Sequence, residues 1–470
     1  MRLTVIGTGY VGLNTGTAAA YLGHTVVCVD KDPRKIAMLN EGNSPIHEQG
    51  LDELLALVGE RMQFTDQTEA AVRDADVIMI AVGTPSKANG EADTRYVEDA
   101  AREVAAGLKP GRTYTVVVKS TVPIGSNRRV AHVVNRVLAE RGVRCQVHFA
   151  SNPEFLREGF ALYDTFYPDR IVVGSEEPEA CEVLKELYRP ILEQTFSPPP
   201  FIPRPVERQR PALVVTDPTS AEMIKYASNA FLAVKISFAN EIAGLCERVG
   251  ADVTQVTRGM GLDSRIGPRF LAAGLGWGGS CFPKDTAALL AVGAEYGYSM
   301  PIVEAGREVN FRQRQVAIEK LQSVLKVLRG RTIGILGLAF KPNTDDVRES
   351  PAIEIIRLLI ERGAHVRAHD PVAVDNARAA LEGLEVEFVH DPYVMARGCD
   401  GLLLATEWDV YRNLDLARLA AAMRLPVLVD GRNLFDPEKA VEAGFTYLGV
   451  GRPEGAFSLR QLSEAKTVGA

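Results

Sequence analysis

Three closely spaced glycines constrain the fold of this chain more than any other feature. The segment reads Gly7-Thr8-Gly9-Tyr10-Val11-Gly12. It follows an apolar run at residues 3–6 and opens a stretch with helical periodicity, so the order is strand, glycine turn, helix. Gly7 permits the tight turn, Gly9 lets the backbone approach a pyrophosphate, and Gly12 lets helix and strand pack closely. The pattern predicts a dinucleotide-binding βαβ unit.

Asp30 ends the next apolar run, residues 25–29. A carboxylate at this position accepts hydrogen bonds from the adenosine ribose and repels a 2′-phosphate. The pattern therefore predicts NAD as the cofactor rather than NADP, although Lys31, Arg34 and Lys35 lie close by. We expect the pyrophosphate at the N-terminus of the helix, where backbone N–H groups point outward.

Two further loops follow predicted strands at the carboxyl edge of the same sheet. They read Gly83-Thr84-Pro85 and Ser120-Thr121-Val122-Pro123. Ligands bind at this edge in open α/β sheets, so both loops are candidates for cofactor contact. The residues alone leave open that they are ordinary turns.

Short runs rich in Val and Ile alternate with amphipathic stretches in both halves of the chain. The runs are residues 3–6, 25–29, 77–82, 114–118, 332–336, 365–368, 401–404 and 427–429. Asp30 and Asp370 each follow the second run of their half, with a proline soon after. The alternation indicates parallel sheets covered by helices. The predicted fold class is α/β, with two doubly wound Rossmann-like domains joined by a long central helix.

Residues 218–250 predict that central helix, because their spacing is helical and no glycine interrupts it before Gly244. We expect it to join the two domains and to form a homodimer interface. The predicted divisions are an N-terminal domain over residues 1–215, a central helical domain over 216–325, a C-terminal domain over 326–455 and a tail over 456–470. The proline- and arginine-rich residues 197–211 predict an exposed loop.

Composition excludes several classes of protein. The net charge of -7 argues against a broad basic surface, so no nucleic acid partner is expected. The sequence holds no run of roughly 18 apolar residues and no signal-peptide pattern at its start, so no membrane association is expected. Six cysteines without a C-x-x-C pair are typical of reduced thiols in the cytoplasm. We expect a cytoplasmic protein, and no pattern indicates a metal site.

The most informative segment is a glycine-dense loop that ends in Cys-x-x-Lys-Asp. It reads Gly274-Leu275-Gly276-Trp277-Gly278-Gly279-Ser280-Cys281-Phe282-Pro283-Lys284-Asp285. A lysine and an aspartate within one turn of Cys281 are a plausible setting for a thiolate. Taken by themselves, however, these residues favour a buried cysteine in a tight turn over a nucleophile.

The loop resembles the nucleophile motif of the UDP-glucose/GDP-mannose dehydrogenase family. Further segments similar to the family's motifs occur in the family's order, and they cover about residues 1–450. They are Ser120-Thr121-Val122-Pro123-Ile124-Gly125, Asn152-Pro153-Glu154-Phe155-Leu156-Arg157-Glu158-Gly159, Lys225-Tyr226-Ala227-Ser228-Asn229-Ala230, Arg265-Ile266-Gly267, Gly337-Leu338-Ala339-Phe340-Lys341, Val347-Arg348-Glu349-Ser350-Pro351 and Asp430-Gly431-Arg432. Residues 197–211 depart from the family pattern and resemble an insertion.

The resemblance implies two successive hydride transfers from C6 of a sugar nucleotide to NAD. The aldehyde formed first would be captured by Cys281 as a thiohemiacetal, and the second oxidation would leave a thioester that water hydrolyses. Lys225 and Asn229, four apart on one helical face, would stabilise the oxyanions. Glu154 and Asp285 are both candidates for the hydrolytic base, and the sequence does not rank them. Thr121 would help to order water.

The resemblance also implies the residues that contact each ligand. The NAD-contacting positions that it implies are Val11, Asp30, Lys35, Thr121, Glu158, Lys284 and Arg348. They join the candidates in the two loops described above, Gly7, Gly9, Tyr10, Gly12, Gly83 and Thr84. The substrate-contacting positions are Glu154, Phe155, Leu156, Arg157, Lys225, Asn229, Arg265, Phe270, Gly274, Gly278, Phe340, Lys341 and Arg432. By analogy, Arg265 would reach the site of a neighbouring subunit, which requires a dimer.

Three alternatives stay open at this stage. Phe282 after the cysteine favours UDP-glucose as the substrate, since GDP-mannose enzymes of the family tend to have leucine there. Enzymes acting on N-acetyl sugars tend to have histidine before the cysteine, where this chain has Ser280. A single-step dehydrogenase would not need Cys281, and a non-catalytic sugar-nucleotide sensor remains a remote alternative.

Overall fold

A computed structural model describes residues 1–206 and 209–453. The strands in these ranges are β1 (Arg2–Ile6), β2 (Thr25–Val29), β3 (Met62–Thr65), β4 (Val77–Ile80), β5 (Thr113–Val118), β6 (Gln146–Ser151), β7 (Arg170–Gly174), β8 (Ala212–Thr216), β9 (Thr332–Leu336), β10 (His365–His369), β11 (Val386–Phe388), β12 (Gly401–Leu404), β13 (Val427–Asp430) and β14 (Thr446–Gly449).

The α-helices in the same ranges are α1 (Tyr10–Tyr21), α2 (Pro33–Asn40), α3 (Leu51–Val58), α4 (Thr68–Val72), α5 (Arg95–Gly107), α6 (Ser126–Arg141), α7 (Ala161–Phe166), α8 (Pro178–Glu193), α9 (Pro218–Val249), α10 (Val253–Gly261), α11 (Phe282–Glu295), α12 (Pro301–Leu325), α13 (Pro351–Glu361), α14 (Val374–Ala380), α15 (Pro392–Ala396), α16 (Asp409–Arg412), α17 (Leu416–Ala422) and α18 (Pro437–Glu442). A short 3₁₀ turn follows α3 at Gly59–Arg61.

The chain forms two compact units. The first unit contains Met1–Ser228 and Ala287–Gly297, and the second contains Asn229–Thr286 and the residues from Tyr298 onward. The division falls inside α9, which covers 32 residues and extends about 48 Å at 1.5 Å per residue. The three-domain division expected from the sequence stays a prediction, and its tail at 456–470 lies outside the described residues.

The first unit is built on an eight-stranded sheet in the order β3-β2-β1-β4-β5-β6-β7-β8. All neighbours are parallel except β6 and β7, which meet in an antiparallel pairing. The four residues of β4 are all buried, as expected of a central strand covered by helices on both faces. Strands β2 and β3 are added on one side of β1, and β4 and the later strands on the other, so the strand order switches at β1. Ligands bind at such switch points.

The second unit is built on a six-stranded parallel sheet in the order β11-β10-β9-β12-β13-β14. Its central strands β12 and β13 are buried throughout. The sheet repeats the arrangement of the first, since β9 pairs with both β10 and β12 as β1 pairs with β2 and β4. The predicted fold of two doubly wound sheets is confirmed.

The sequence identified the central strands better than the edges. All eight predicted runs are strands, and the amphipathic stretch at residues 94–108 is α5. The sequence analysis did not identify β3, β6, β7, β8, β11 and β14. Strand β6 carries Gln146, His148 and Ser151 and so forms no continuous apolar run, whereas β8 does contain one, Ala-Leu-Val-Val, although it is only partly buried.

The proline-rich stretch has no helix or strand in its described residues, 197–206 and 209–211, as its prolines predict. Within the described ranges, no helix is long and apolar enough to cross a bilayer. The six cysteines, all of which lie in those ranges, form no disulfide.

Candidate active site

The glycine turn after β1 is an open cradle. Gly7 has a φ of +104°, and its N–H donates to the Val29 carbonyl at 2.7 Å. A Cβ at Gly12 would lie 1.9 Å from the Gly7 carbonyl oxygen, so only glycine fits there. A Cβ at Gly9 would meet nothing within 4 Å. The turn therefore leaves space beside Gly9 for a ligand to approach the backbone.

Helix α1 begins at Tyr10, directly after this turn, and no side chain caps its N-terminal N–H groups. Uncapped donors at the positive end of a helix bind an anion such as a pyrophosphate. The structure thus places Gly7, Gly9, Tyr10 and Gly12 where the sequence predicted a dinucleotide phosphate site. The half-buried Val11 lies in the same first turn.

Asp30 lies beside this turn at the end of β2. Its carboxylate accepts hydrogen bonds from the Thr8 N–H at 2.9 Å, the Thr8 hydroxyl at 2.6 Å and the Asp32 N–H at 3.0 Å. Lys35 Nζ lies 3.5 Å away. Burial raises the pKa of Asp30, but these hydrogen bonds and Lys35 outweigh it and hold the pKa below its usual value. Asp30 is therefore ionised at neutral pH, as ribose recognition requires.

The loops after β4 and β5 are joined. The Thr84 hydroxyl donates to the Thr121 carbonyl at 2.7 Å, and the Ser120 hydroxyl donates to the Val82 carbonyl at 2.7 Å. A Cβ at Gly83 would meet nothing within 4 Å. The two loops that the sequence singled out therefore form one edge beside the sheet's switch point, with space in front of Gly83.

Glu154 and Lys225 form a buried ion pair in the first unit, with 2.9 Å between Glu154 Oε1 and Lys225 Nζ. The Leu156 N–H donates to the other carboxylate oxygen at 2.8 Å. Burial raises the pKa of Glu154, but the charge of Lys225 and these hydrogen bonds outweigh it and hold the pKa below its usual value. Lys225 Nζ also lies 5.4 Å from the centre of the Phe155 ring. A buried cation is thus fixed against the predicted substrate segment.

Two buried charged residues near this pair were missed by the sequence analysis. Lys119 Nζ donates to Asn152 Oδ1 at 3.0 Å, and burial lowers its pKa to about 8. Glu222 lies one turn before Lys225 on α9 and is also buried. Both left a signal in the sequence: Lys119 ends the apolar run of β5, and Glu222 shares the helical face of Lys225.

Cys281 lies at the N-terminus of α11 in the second unit. Its carbonyl accepts the first hydrogen bond of the helix, from the Asp285 N–H at 2.8 Å. The Ser280 hydroxyl lies 3.5 Å from the Cys281 sulfur, and the residue is partly exposed. The positive end of a helix stabilises a thiolate, which is the nucleophilic form of cysteine. The other reading of the sequence, a buried structural cysteine, does not fit this position.

Asp285 is fully buried one turn after Cys281. Its carboxylate accepts hydrogen bonds from Asn229 Nδ2 at 2.6 Å and Lys284 Nζ at 2.5 Å. This network brings three predicted site residues together in the second unit. It also orients the Asn229 amide, whose nitrogen faces the carboxylate.

Glycines allow the loop before Cys281 to pack against its neighbours. A Cβ at Gly278 would lie 2.1 Å from the Glu349 carbonyl oxygen, and one at Gly279 would lie 2.6 Å from the Phe340 ring. Arg432 donates to the Ala405 carbonyl at 2.8 Å and to the Gly276 carbonyl at 3.3 Å. Phe340 and Arg432, both predicted substrate residues, therefore contact the loop that carries Cys281.

The remaining predicted residues form a more dispersed group. Three arginines have carboxylate partners close in sequence: Arg157 with Asp164, Arg265 with Asp263, and Arg348 with Asp346. Glu158 is buried in the first unit. In the second unit, Lys341 Nζ lies 5.3 Å from the Phe340 ring centre, and Phe270 has a φ of +63°. The Gly274 N–H donates to Asn240 Oδ1 at 2.8 Å. The described part of the chain holds no group of His, Cys, Asp and Glu side chains arranged to bind a metal ion.

Three family models match the chain in sequence order. Residues 1–192 match the NAD binding domain of the UDP-glucose/GDP-mannose dehydrogenase family, residues 219–312 its central domain, and residues 334–437 its UDP binding domain.

Known proteins resemble the chain over nearly its full length. The chain is 46% identical over 455 residues to the UDP-glucose 6-dehydrogenase TuaD of Bacillus subtilis, covering 96% of this chain and 93% of that protein. It is 46% identical over 462 residues to the UDP-glucose 6-dehydrogenase of Rhizobium meliloti, covering 97% and 100%. The structure of a UDP-glucose dehydrogenase from Pyrobaculum islandicum matches with a TM-score of 0.85 at 44% identity, covering 96% of this chain and 98% of that one.

The chain also resembles the structure of a dehydrogenase named for a different UDP-sugar. The UDP-D-ManNAc dehydrogenase of Pyrococcus horikoshii matches with a TM-score of 0.81 at 28% identity, covering 97% of this chain and 100% of that one. The glycine cradle, the helix-terminal cysteine and the matches over nearly the whole length agree, and this chain belongs to the UDP-glucose/GDP-mannose dehydrogenase family.

Proposed function

We propose that this protein is an NAD-dependent UDP-glucose 6-dehydrogenase, which oxidises UDP-glucose to UDP-glucuronate. The observation that carries the proposal is the position of Cys281 at the N-terminus of α11, one turn from Asp285. A single oxidation needs no nucleophilic cysteine, whereas a four-electron oxidation needs one to retain the aldehyde. The relatives named UDP-glucose 6-dehydrogenase at 46% identity support UDP-glucose as the substrate.

The cofactor supplies the hydride acceptor for both oxidations. The turn at Gly7, Gly9 and Gly12 would hold its pyrophosphate, and Asp30 would hold the adenosine ribose. Lys35, Gly83 and the other NAD-contacting positions named above are proposed in the same role, and the substrate-contacting positions are proposed for UDP-glucose. The open space beside Gly9 and the ionised Asp30 support this assignment.

Cys281 would add to the aldehyde carbon through its sulfur to give a thiohemiacetal. Lys225 and the Asn229 amide would donate hydrogen bonds to the oxygen that carries the developing charge. Glu154 keeps Lys225 in place through the 2.9 Å ion pair. Together with Thr121, Glu154 would order water near C6. Loss of the second hydride converts the thiohemiacetal to a thioester on Cys281.

Hydrolysis adds one water to the thioester carbon and releases the Cys281 thiolate and the carboxylate product. We assign the base for this water to Asp285, because it lies one turn from Cys281 on the same helix. Lys284 and Asn229 hold its carboxylate in one orientation. Glu154, the other candidate, likewise has both oxygens engaged, one by Lys225 and one by the Leu156 N–H, so the assignment rests on the closeness of Asp285 to Cys281 in the helix.

The test measures NADH by absorbance with limiting UDP-glucose, because the stoichiometry separates the mechanisms. We expect two NADH per UDP-glucose for the wild type and no complete turnover for Cys281→Ser. Asp285→Asn should release both NADH once per site and then stall with the thioester intact, which mass spectrometry detects. Glu154→Gln should instead slow the appearance of the first NADH.

Each alternative predicts a different result in the same assay. One NADH per sugar would rule out the thioester mechanism. Turnover only with GDP-mannose, UDP-N-acetylglucosamine or UDP-N-acetylmannosamine would keep the mechanism and change the substrate. Tight NADH binding with no turnover of any sugar would favour a non-catalytic sensor.

We also propose a homodimer through α9. Phe231, Phe238 and Leu245 recur every seven residues along this helix and are 65%, 46% and 55% exposed. Residues seven apart share one helical face, and an exposed apolar stripe of this length marks an interface between chains. A second copy of the chain is the partner that we propose for this stripe.

Phe238→Glu should convert the dimer to a monomer in sedimentation, whereas Phe160→Glu, at another exposed phenylalanine, should leave it intact. An unchanged mass for the α9 variant would contradict the interface. We place the reaction in the cytoplasm, where NAD is available and thiols stay reduced.

A further inference from the structure

Glu222 joins two segments that are distant in sequence. Its carboxylate oxygens accept hydrogen bonds from the Gly125 N–H at 2.6 Å and the Asn127 N–H at 2.8 Å. The side chain lies on α9, is only 3% exposed and belongs to the same unit as both donors. A buried carboxylate with two backbone donors fixes the loop that carries them.

The two N–H groups belong to the start of α6. The residue before this helix is Gly125, with a φ of +86° and no side chain to cap the helix. Glu222 therefore supplies from α9 the cap that the local sequence lacks. A negative charge at this end of a helix is also favoured by the helix dipole.

The capped segment begins at Gly125, four residues after Thr121, and Glu222 lies three residues before Lys225 on α9. Thr121, Glu222 and Lys225 line one small cavity of about 10 Å³, together with Ser151. This volume has room for about one water molecule. Glu222 is thus the side chain that ties the Thr121 loop to the turn of α9 that carries Lys225.

We propose that Glu222 is a positioning residue, which holds the Thr121 loop at its working distance from Lys225. The inference rests on the proposed function, since it assigns catalytic work to Thr121 and Lys225. Glu222 itself touches neither reacting atoms nor cofactor in this assignment. It acts through the backbone at Gly125 and Asn127.

The link depends on the charge of Glu222. Burial raises the pKa of this carboxyl to about 7, while the N–H groups of Asn127 and Gly125, the charge of Arg128 on α6 and the Ser151 hydroxyl on β6 act in the opposite direction. Lys225, on its own helix, also faces the cavity. Protonation removes the charge that the two N–H donors and the helix dipole stabilise, so the link weakens as the pH falls through 7.

The test compares Glu222→Gln with Asp217→Asn. Glutamine has nearly the same shape, but it loses the charge and turns an NH₂ group toward one of the two backbone donors. Asp217 is a matched control, because its carboxylate caps α9 itself through the Ser220 N–H at 2.9 Å and acts on the α6 start only through its charge near Arg128. We expect Glu222→Gln to lower kcat about tenfold or more with a less than threefold change in the KM for NAD, and the control to change kcat less than twofold.

A double-mutant cycle with Thr121→Ala separates positioning from a general loss of structure. If Glu222 acts through the Thr121 loop, Glu222→Gln should lower kcat less than threefold further in the Thr121→Ala background. If the fold-losses of kcat in Glu222→Gln and Thr121→Ala simply multiply in the double variant, the proposal is overturned. An unchanged kcat in Glu222→Gln alone would also overturn it. If Glu222→Gln folds poorly, Glu222→Asp keeps the charge and should give an intermediate kcat, and wild-type activity in that variant would also contradict the role.

Amide hydrogen exchange tests the link without any turnover. The Gly125 and Asn127 amides should exchange at least tenfold faster in Glu222→Gln than in the wild type, and in the wild type they should exchange faster below pH 7 than the intrinsic pH dependence predicts. Unchanged protection would overturn the proposal even if the enzyme is active. Conversely, a wild type that oxidises no UDP-glucose would refute the proposed function while this measurement still decides the link.

Discussion

In both sheets the chain leaves the strand at the switch point through a glycine with a positive φ. The Gly7 N–H donates to the Val29 carbonyl at 2.7 Å, and the Gly337 N–H donates to the His369 carbonyl at 2.8 Å. In each case the residue after the acceptor carbonyl is an aspartate, Asp30 or Asp370. Its carboxylate accepts a hydrogen bond from the backbone of the glycine turn. The two regions thus share one backbone device.

They differ in what surrounds the aspartate. In the first unit, α1 begins three residues after Gly7, and Asp30 keeps a partly exposed edge. In the second unit, α13 begins only at Pro351, and the longer loop closes over Asp370. Five donors reach that carboxylate: the N–H groups of Leu338, Ala339, Val372 and Ala373 and the Trp408 indole.

The difference teaches that a turn of one geometry serves two purposes according to what covers it. An aspartate with an exposed edge can accept hydrogen bonds from a ligand. One with five internal donors has its acceptor sites satisfied within the protein. NAD recognition in the first unit and loop stabilisation in the second therefore follow from burial, not from the turn itself.

Of the substitutions that test this comparison, Gly12→Ala should have the largest effect, which is on NADH affinity. The new Cβ would lie 1.9 Å from the Gly7 carbonyl oxygen, so the cradle must open. We expect at least a 100-fold loss of NADH affinity, roughly 3 kcal/mol, measured by fluorescence titration. Gly337→Ala is the counterpart, since its Cβ would meet Thr406 at 2.4 Å. That variant should lower the melting temperature and leave NADH affinity within twofold, and a shared loss of affinity would break the comparison.

Asp370→Asn should destabilise the second unit. The amide places an NH₂ group against backbone N–H donors and removes a charge that five donors stabilise, at a cost of about 3 kcal/mol. Urea unfolding measures this free energy. NADH affinity should stay within twofold of the wild type, and a tenfold loss would mean that Asp370 does more than stabilise its loop.

Glu222 is a third buried carboxylate to compare with Asp30 and Asp370, and it accepts hydrogen bonds from two backbone N–H groups. Its two N–H donors do not offset its burial, so its pKa in the folded state is about 7, above the value of 4.5 for an unperturbed glutamate. The folded state therefore binds more protons than the unfolded state between these pH values, and global stability falls as the pH rises through this window, although the two hydrogen bonds to the carboxylate themselves strengthen. Relative to Glu222→Gln, the wild type should lose roughly 2–3 kcal/mol from pH 4.5 to pH 7.5. Parallel urea titrations of both proteins across this range measure the difference, and curves that stay parallel would contradict it.

Asp30→Asn should have the smallest effect on folding and a selective effect on the ligand. The amide keeps part of the bonding to Thr8 but loses the charge that disfavours a 2′-phosphate. We expect NADH affinity to fall about tenfold, near 1.4 kcal/mol, and the preference for NADH over NADPH to narrow. Fluorescence titration with both cofactors measures this. An unchanged preference would show that residues other than Asp30 select the cofactor.

The sequence predicted the elements whose signal is local. Gly7, Gly9 and Gly12 lie where a tight turn requires them, and the central strands are continuous apolar runs that need no tertiary information. Cys281 as a nucleophile required the family resemblance, because the residues alone favoured a structural cysteine.

Long-range contacts were not predictable in the same way. Lys119 and Glu222 acquire their surroundings from segments 33 or more residues away, so their spacing revealed little. The Asp285–Asn229 hydrogen bond joins residues 56 apart. In each case the partner, and not the local sequence, determines the structure.

The glycines before Cys281 have a consequence for changing which sugar the enzyme accepts. Gly278 and Gly279 have no room for a Cβ, because Glu349 and Phe340 already occupy that space. Enlarging either position would displace the loop that carries Cys281, the proposed nucleophile, rather than reshape a ligand pocket. A redesign of specificity should therefore keep both glycines and change Phe340, a predicted substrate contact, instead.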